Sequence, residues 1–196
     1  MIERFLTQTH FTSVEDYKEN LHFIVPDNFN FAYDVMDAWA EEKPDKLALL
    51  WTDDEDNCIR FTFKDLKEQS DRAASYFQTL GIGRGDVVML ILKRRYEFWL
   101  SVLALHKIGA VAVPATHMLT THDIVYRNNR ASVKAIICVG EDYVMTQVAG
   151  SLKDSPTLKT LVSIGPEVYE GFHDWHKEWT GAPPFTRPEH VNDNGD

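Results

Sequence analysis

Hydrophobic residues in the central part of the chain switch repeatedly between helical and strand-like spacing. From Thr62 to Leu80 they recur every three or four positions, which predicts an amphipathic helix with Thr62 as its N-cap. The next run, Val87–Leu92, is continuously apolar, as is typical of a strand buried on both faces. The alternation continues through helices at Tyr96–Ile108, Thr121–Asn129, Asp142–Leu152 and Glu167–Trp179 and strands at Val111–Val113, Ala135–Val139 and Leu158–Ile164. This order predicts an α/β fold, with a mostly parallel sheet flanked by helices.

The residues before this region predict smaller elements. Helical spacing covers Asn30–Ala40, and two strand-like runs, Leu47–Trp51 and Ile59–Phe63, are joined by an acidic turn, which predicts a small β-hairpin. The composition becomes rich in proline and polar residues after Gly181. We therefore divide the chain into a lead-in at residues 1–26, an α/β subdomain at residues 27–181 and a Pro-rich connecting tail at residues 182–196.

Composition and charge narrow the classes of function. A formal net charge of −10 argues against a nucleic-acid partner, because contacts with phosphates need clustered Lys and Arg. No apolar run reaches the roughly 18 residues of a membrane span, and the first residues do not form a signal peptide. Neither Cys58 nor Cys138 has a metal-ligand spacing, and no H-E-x-x-H motif occurs. We expect a cytoplasmic protein with no membrane span and no metal site.

Several familiar site motifs are absent or misplaced. Gly81, Gly83 and Gly85 are spaced like a dinucleotide fingerprint, but they follow a helix and precede a strand, so we interpret them as a helix end and a tight turn. Neither G-x-S-x-G nor G-x-x-x-x-G-K-[ST] occurs. The basic segment Lys93–Arg95 is interpreted as a solvated loop or helix start. Residues 93–97 contain no glycine, which argues against a self-sufficient flavodoxin-like nucleotide binder.

Four separated motifs nevertheless occur in an order that resembles the N-terminal region of AMP-forming acyl-CoA synthetases, in the adenylate-forming superfamily. They are the helix start Thr62–Leu66, the segment Leu80–Val87, the pair Glu97-Phe98 and the segment Lys107–Pro114. The details most similar to the medium-chain acyl-CoA synthetase branch are Asn30–Val35, Arg95–Trp99, Ala104–Lys107 and Pro114–Leu119. The resemblance runs from about Asn28 to the end of the chain.

The resemblance implies a ligase that works in two steps with ATP, Mg²⁺ and CoA. A short- or medium-chain carboxylic acid is first activated to an acyl-adenylate, and CoA then displaces AMP to form the thioester. The family cradles the transferred phosphate in a loop of the form S-G-T-T-G-x-P-K, which this sequence lacks. Its last residues, 192–196, resemble the segment just before that loop. We therefore expect an inactive fragment that has no catalytic residue and binds no cofactor alone.

Two residues are candidates for contacts with CoA. Arg127 matches a family arginine that can contact a CoA phosphate; the alternative is that it caps its own helix or is solvated. His117 follows Pro114 at the carboxyl end of a strand, where doubly wound folds bind ligands; the alternative is a structural histidine.

The partners implied are the remainder of the parent ligase chain, a small carboxylic acid and CoA. Elements that would pack against that remainder are expected to leave an apolar patch and to favour self-association. The alternative function is a stand-alone, non-catalytic α/β module with a scaffolding or regulatory role. The two differ in whether S-G-T-T-G-x-P-K follows in frame downstream of Asp196.

Overall fold

The computed structural model describes residues 2–189 and 191, and residues 190 and 192–196 of the predicted tail lie outside that part. Two sheets are present in the described part of the chain. The first is an antiparallel hairpin of β1 (Leu47–Thr52) and β2 (Cys58–Thr62). The second has five strands, all paired in parallel, in the order β4-β3-β5-β6-β7. Its strands are β3 (Val87–Ile91), β4 (Val111–Pro114), β5 (Ala135–Val139), β6 (Thr160–Ile164) and β7 (His173–Asp174).

Helices occupy most of the connections between these strands. In chain order they are α1 (Val14–Asn20), α2 (a π-helical turn Ala32–Asp37 that continues as the α-helix Ala38–Glu42), α3 (Phe63–Thr79), α4 (Glu97–Lys107), α5 (Thr121–Ala131), α6 (Asp142–Ser151) and α7 (Trp175–Glu178). The predicted α/β fold, with a parallel sheet flanked by helices and a small hairpin near the start, is confirmed. Among the helices of the described residues, none combines the length and apolarity that crossing a membrane requires.

The ends of α3 follow directly from its sequence. The Thr62 hydroxyl accepts a hydrogen bond from the Asp65 amide (3.1 Å), and the Asp65 carboxylate accepts one from the Thr62 amide (2.8 Å), which forms a capping box. Gly81 follows the helix with φ +75°, and Gly85 has φ +78° in the turn before β3. Both conformations favour glycine, which supports the interpretation of these glycines as helix end and turn.

One predicted element is wrong. The predicted helix Glu167–Trp179 is instead a loop, the short edge strand β7 and the four-residue helix α7, followed by a 3₁₀ turn at Trp179–Gly181. Gly171 interrupts any helix here with φ +87°. The aromatic residues whose spacing suggests a helix serve packing instead. Trp175 is buried against α3, and its ring stacks on that of Trp179 (ring centroids 5.2 Å apart).

The main core surrounds the middle of the parallel sheet. Every residue of β5 and β6 is buried, and four of the five residues of β3 are buried, so the continuous apolar runs seen in the sequence correspond to interior strands. The outer edge of β4 has no strand beside it among the described residues. The sheet therefore has a well-covered centre and one edge strand that the described part of the chain leaves unpaired.

A buried ion network joins α2, α3 and α4. The fully buried ammonium of Lys107 donates to the Asp37 carboxylate (2.9 Å) and to the Asp71 carboxylate (2.6 Å). The hydroxyl of Tyr33 donates to the backbone oxygen of Lys107 (2.8 Å). Lys67 lies at the rim, 3.1 Å from Asp71. A buried charge is tolerated only when it is paired and hydrogen-bonded, and here each partner comes from a different helix.

Candidate functional site at the carboxyl edge of the sheet

The carboxyl ends of β3 and β4 open into a cleft of about 1190 Å³. The end of β1 and the acidic turn that follows it form the opposite wall. The residues that line the cleft are Trp51, Thr52, Asp53, Asp54, Leu90, Leu92, Lys93, Arg94, Arg95, Phe98, Pro114, Ala115, Thr116 and His117. Ligands of open α/β sheets bind at this edge, because the loops that leave the strands converge there. The cleft is therefore the candidate site of this chain.

A basic loop between β3 and α4 supplies three cations to the cleft. Lys93 adopts φ +51°, which is uncommon for a residue other than glycine and turns the chain sharply after β3. Its ammonium pairs with the carboxylate of Glu141 at the start of α6. The indole Nε1 of Trp51 donates to the backbone oxygen of Arg94 (2.7 Å), which fastens the hairpin to the loop. The loop is thus held from two sides.

A buried carboxylate lies at the base of this loop. Glu97, the first residue of α4, is 2 % exposed, and its Oε2 has no hydrogen-bond partner among the described residues. The basic side chains beside it are Arg95 (Nη1 to Oε1, 3.8 Å) and His176 (Nε2 to Oε1, 4.0 Å). Burial, and then the neighbouring Glu97, raise the pKa of Tyr96. The carboxyl group of Glu97 therefore lies close to the guanidinium of Arg95.

The two candidate residues from the sequence lie in different places. His117 is half-buried and lines the cleft, as expected from its position after β4. Arg127 is exposed on α5 and is not among the residues that line the cleft. Its Nη1 donates to the backbone oxygen of Asp123, one turn earlier in the same helix (3.1 Å). The structure thus brings His117, but not Arg127, together with the basic loop.

A second cavity, of about 500 Å³, lies at the opposite edge of the sheet. It is lined by Phe29, Asn30, Phe31, Arg84, Gly85, His106, Gly109, Ala110 and Val111, which precede or begin β3 and β4. Burial lowers the pKa of His106, and its Nδ1 has no hydrogen-bond partner among the described residues. The amino ends of parallel strands are not where such sheets bind ligands. The carboxyl-edge cleft is therefore the better candidate.

A metal ion has no evident protein ligands in the described part of the chain, since no three His, Cys, Asp or Glu residues are grouped as a metal site requires. The turns after the parallel strands also lack the composition of a phosphate-binding loop. They read Leu92-Lys93-Arg94 after β3, Ala115-Thr116-His117 after β4, Gly140-Glu141 after β5 and Gly165-Pro166 after β6, and none has the pattern S-G-T-T-G-x-P-K. The residues present do not fit a catalytic Mg²⁺ or a triphosphate-binding loop.

Comparison with known proteins assigns the chain to a family. Residues 36–194 match the family described as AMP-binding enzyme. The chain belongs to the AMP-binding enzyme family. The matched region includes the parallel sheet, the hairpin and every residue that lines the cleft. The resemblance stated from the sequence motifs is thereby confirmed at the level of the family.

Similar curated proteins of the AMP-binding family carry the name acyl-coenzyme A synthetase. The chain is 31 % identical over 166 residues to mitochondrial acyl-coenzyme A synthetase ACSM5 of Rattus norvegicus, with 82 % of this chain and 28 % of that protein covered. It is 34 % identical over 154 residues to mitochondrial ACSM4 of Mus musculus, with 76 % and 26 % covered. The chain thus spans little more than a quarter of the length of these relatives.

Solved structures of family members share the fold. The anthranilate CoA ligase AuaEII in complex with anthranoyl-AMP superposes with a TM-score of 0.75 at 20 % identity, covering 86 % of this chain and 31 % of that one. Acetoacetyl-CoA synthetase from Streptomyces lividans gives 0.73 at 20 % identity, covering 86 % and 28 %. At such identities the likeness establishes the architecture alone.

The basic loop is a part of the site that sequence reasoning misses. The pattern of Lys93–Arg95 favours a solvated loop or helix start, yet the structure places all three residues in the cleft beside His117. The available signal is position, because three cations follow directly on the apolar run of a parallel strand. Trp51 cannot be found in this way, since its indole reaches Arg94 across 43 positions of sequence.

Proposed function

We propose that this chain is the front part of a longer acid–CoA ligase of the AMP-forming type. In the proposed reaction a carboxylate oxygen of a short- or medium-chain acid attacks the α-phosphorus of ATP, and pyrophosphate leaves. The sulfur of CoA then attacks the acyl carbon, and AMP leaves. The observation that carries the proposal is the family match over residues 36–194, together with relatives that are named acyl-coenzyme A synthetases.

The chain contributes a scaffold and one wall of a site in this proposal. Its parallel sheet presents the loops after β3 and β4 at one edge, and the cationic loop and His117 face a common cleft. Mg²⁺ would supply charge neutralisation for the phosphates during adenylation. Since the described residues offer neither a metal ligand set nor a phosphate loop, we assign both to the remainder of the parent chain, which is the principal partner.

The proposal also covers the contacts with CoA and the location of the protein. Arg127 and His117 are proposed CoA contacts, and for Arg127 this requires that its guanidinium leave the backbone oxygen of Asp123. We keep the cytoplasm as the proposed location, an expectation that rests on sequence, whereas the relatives are named mitochondrial proteins.

The isolated chain of 196 residues should show no acid-dependent release of pyrophosphate from ATP. The reason is that stabilising the charge on the transferred phosphate needs preorganised amides and cations, which the described residues do not provide as a set. A coupled pyrophosphate assay with Mg²⁺ and a series of short- and medium-chain acids measures this. Turnover above a no-enzyme control would contradict the proposed division of labour.

The matched control is a longer protein that continues through S-G-T-T-G-x-P-K in the same reading frame. It should release pyrophosphate and form the acyl-CoA in the same assay. If no such continuation exists in the coding region, the ligase proposal fails and the alternative of a stand-alone, non-catalytic module is favoured.

We also propose that the chain alone self-associates through its uncovered edge. Phe31 and Val111, which are 45 % and 48 % exposed, lie together at the smaller cavity beside the unpaired edge of β4. Light scattering coupled to size exclusion should show a dimer or larger species at high concentration, and Val111→Lys should reduce it, because a charge blocks edge pairing. A monodisperse monomer at the highest concentration tested would count against the proposal.

A further inference from the structure

The loop from Lys93 to Arg95 is fixed in place by contacts that come from three different elements. Trp51 at the end of β1 donates to the backbone oxygen of Arg94 at 2.7 Å. Glu141 before α6 pairs with the ammonium of Lys93. The buried carboxylate of Glu97 lies 3.8 Å from the guanidinium of Arg95. A loop tied in this way, with a left-handed residue at its first position, presents its side chains with little freedom to reorient.

The three cations differ in what remains available to a ligand. The ammonium of Lys93 forms an ion pair with Glu141, and the guanidinium of Arg95 lies 3.8 Å from the carboxyl group of Glu97. Arg94 is exposed and lines the cleft, and its guanidinium has neither an ion pair nor a hydrogen bond within residues 2–189 and 191. Its backbone is held while its charged end is free. An exposed arginine with a pinned backbone at a strand's carboxyl end is suited to binding an anion.

Two carboxylates also face the cleft from the hairpin. Asp53 is occupied by its own turn, where it accepts hydrogen bonds from the amides of Glu55 and Asn57 and from the side chain of Asn57. Asp54 lies on the same wall, and no cation of the described residues forms an ion pair with it. The cleft is therefore polarised, with the free cation on the sheet side and the free carboxylate on the hairpin side. An anion in the cleft should approach from the side of the sheet.

We infer that Arg94 anchors a phosphate group of an adenine nucleotide in this cleft, with Trp51 acting as the residue that positions it. Trp51 and Phe98 line the same cleft, and aromatic rings are surfaces on which a purine can stack. The phosphate chemistry fits both the nucleotide end of CoA and ATP. This inference rests on the proposed function for the identity of the ligand, and it departs from the expectation that the chain alone binds no cofactor. A single phosphate anchor requires no catalytic loop.

Binding to the chain should be measured by NMR titration with adenosine 3′,5′-bisphosphate, CoA, dephospho-CoA and ATP. We expect a Kd on the order of 1 mM for the bisphosphate, weakening as salt is added, because an exposed ion pair is screened. CoA binding more tightly than dephospho-CoA would assign the anchor to the 3′-phosphate of CoA. ATP binding more tightly than CoA would assign it to the ATP phosphates.

Arg94→Gln should weaken the binding of the phosphate ligand by about tenfold, because it removes a charge-assisted hydrogen bond. The matched control is Arg130→Gln, which removes the same charge from an exposed position on α5 that does not line the cleft. Asp54→Asn should strengthen binding by about two- to threefold, since it removes a like charge near the anion. These three residues are exposed, so their variants should keep the thermal stability of the parent chain.

Trp51→Phe tests the positioning role separately. It keeps a smaller aromatic ring but removes the indole N–H that holds the backbone of Arg94, so it should reduce the preference for CoA over dephospho-CoA more than it weakens the binding of adenosine. A purely structural role for Trp51 would not alter that preference.

The inference is overturned if none of the four nucleotides binds the chain, or if Arg94→Gln and Arg130→Gln weaken binding equally. Failure of the longer protein to form acyl-CoA, with phosphate binding by Arg94 intact, would remove the proposed function and leave the anchor standing. If acyl-CoA synthesis and the affinity for CoA are both unchanged in Arg94→Gln, the phosphate anchor is ruled out and the proposed function stands.

Discussion

Replacing Lys107 by methionine should destabilise the protein by about 3–5 kcal/mol, because it leaves the buried carboxylate of Asp37 and the half-buried carboxylate of Asp71 without their shared cation. The ammonium of Lys107 is completely buried and lies 2.9 Å from Asp37 and 2.6 Å from Asp71. Methionine retains most of the stem, so little packing is lost and the effect reports the charge. Helices α2, α3 and α4 should loosen together, since each contributes one member of the network.

Urea unfolding followed by circular dichroism measures this change. Lys153→Met is the matched control, because that side chain is 80 % exposed and its nearest carboxylate is 3.9 Å away. The control should stay within about 0.5 kcal/mol of the parent protein. A loss below about 1 kcal/mol in Lys107→Met would show that the network is not a determinant of stability.

The destabilisation should also depend on pH. Burial raises the pKa of Asp37 above 3.8, with Lys107 opposing the shift. The folded Asp37 thus keeps its proton to a higher pH than the unfolded chain does. Its contribution to stability is fully present below the ordinary pKa and is lost as the pH rises through the raised value. Without Lys107 that pKa rises further, so the difference between Lys107→Met and the parent should be smaller in mild acid than at neutral pH.

The sequence is sufficient to predict the layered sheet because its signals are local. A capping box, a helical apolar face and a following glycine define α3 without reference to the rest of the chain. The buried strands β3 and β5 are recognisable as continuous apolar runs. The strand β7 has only two residues and no such run, and the aromatic spacing around it imitates a helix. Its pairing is decided by the neighbouring strand β6, which leaves no pattern in the residues of β7 themselves.

The ion network illustrates what local patterns cannot supply. Lys107 stands at the end of a helix, where a lysine is favoured on the surface by the helix dipole. Its partners lie 70 and 36 positions earlier in the chain, at Asp37 and Asp71. Each carboxylate alone resembles a solvated residue on a helix face. Only the packing of three helices shows that these charges meet in the interior.

The cleft shows the same division between local and distant information. His117 is a candidate because strand ends of a parallel sheet bind ligands, and the structure places it in the cleft. The same rule makes Arg94 a candidate once β3 is known. Its orientation depends on Trp51, Glu141 and Glu97, of which only Glu97 is near it in sequence. Position along a strand is readable from the sequence, whereas the contacts that fix a side chain are not.

Gly109→Ala should destabilise the protein by about 3 kcal/mol, the sum of a conformational and a steric contribution. Gly109 has φ +70°, which costs an alanine about 1–2 kcal/mol on its own. A Cβ at this position would lie 2.2 Å from the backbone oxygen of Val191 and 3.2 Å from the Cγ of Arg84. The backbone oxygen cannot rotate away as a flexible side chain would, so overpacking adds about 1–3 kcal/mol.

Gly81→Ala separates the two contributions, because Gly81 has nearly the same backbone conformation, φ +75°, and no atom lies within 4 Å of the place that an added Cβ would occupy. It should cost only the conformational part, about 1–2 kcal/mol. Chemical denaturation of both variants gives the comparison, and limited proteolysis after Gly181 reports whether the tail has been displaced. Equal losses in Gly81→Ala and Gly109→Ala would mean that Val191 yields to the methyl group and is not fixed against the start of β4. A larger loss at Gly109 would instead show that Val191 is held against the start of β4, at the edge of the sheet that lies far from α7.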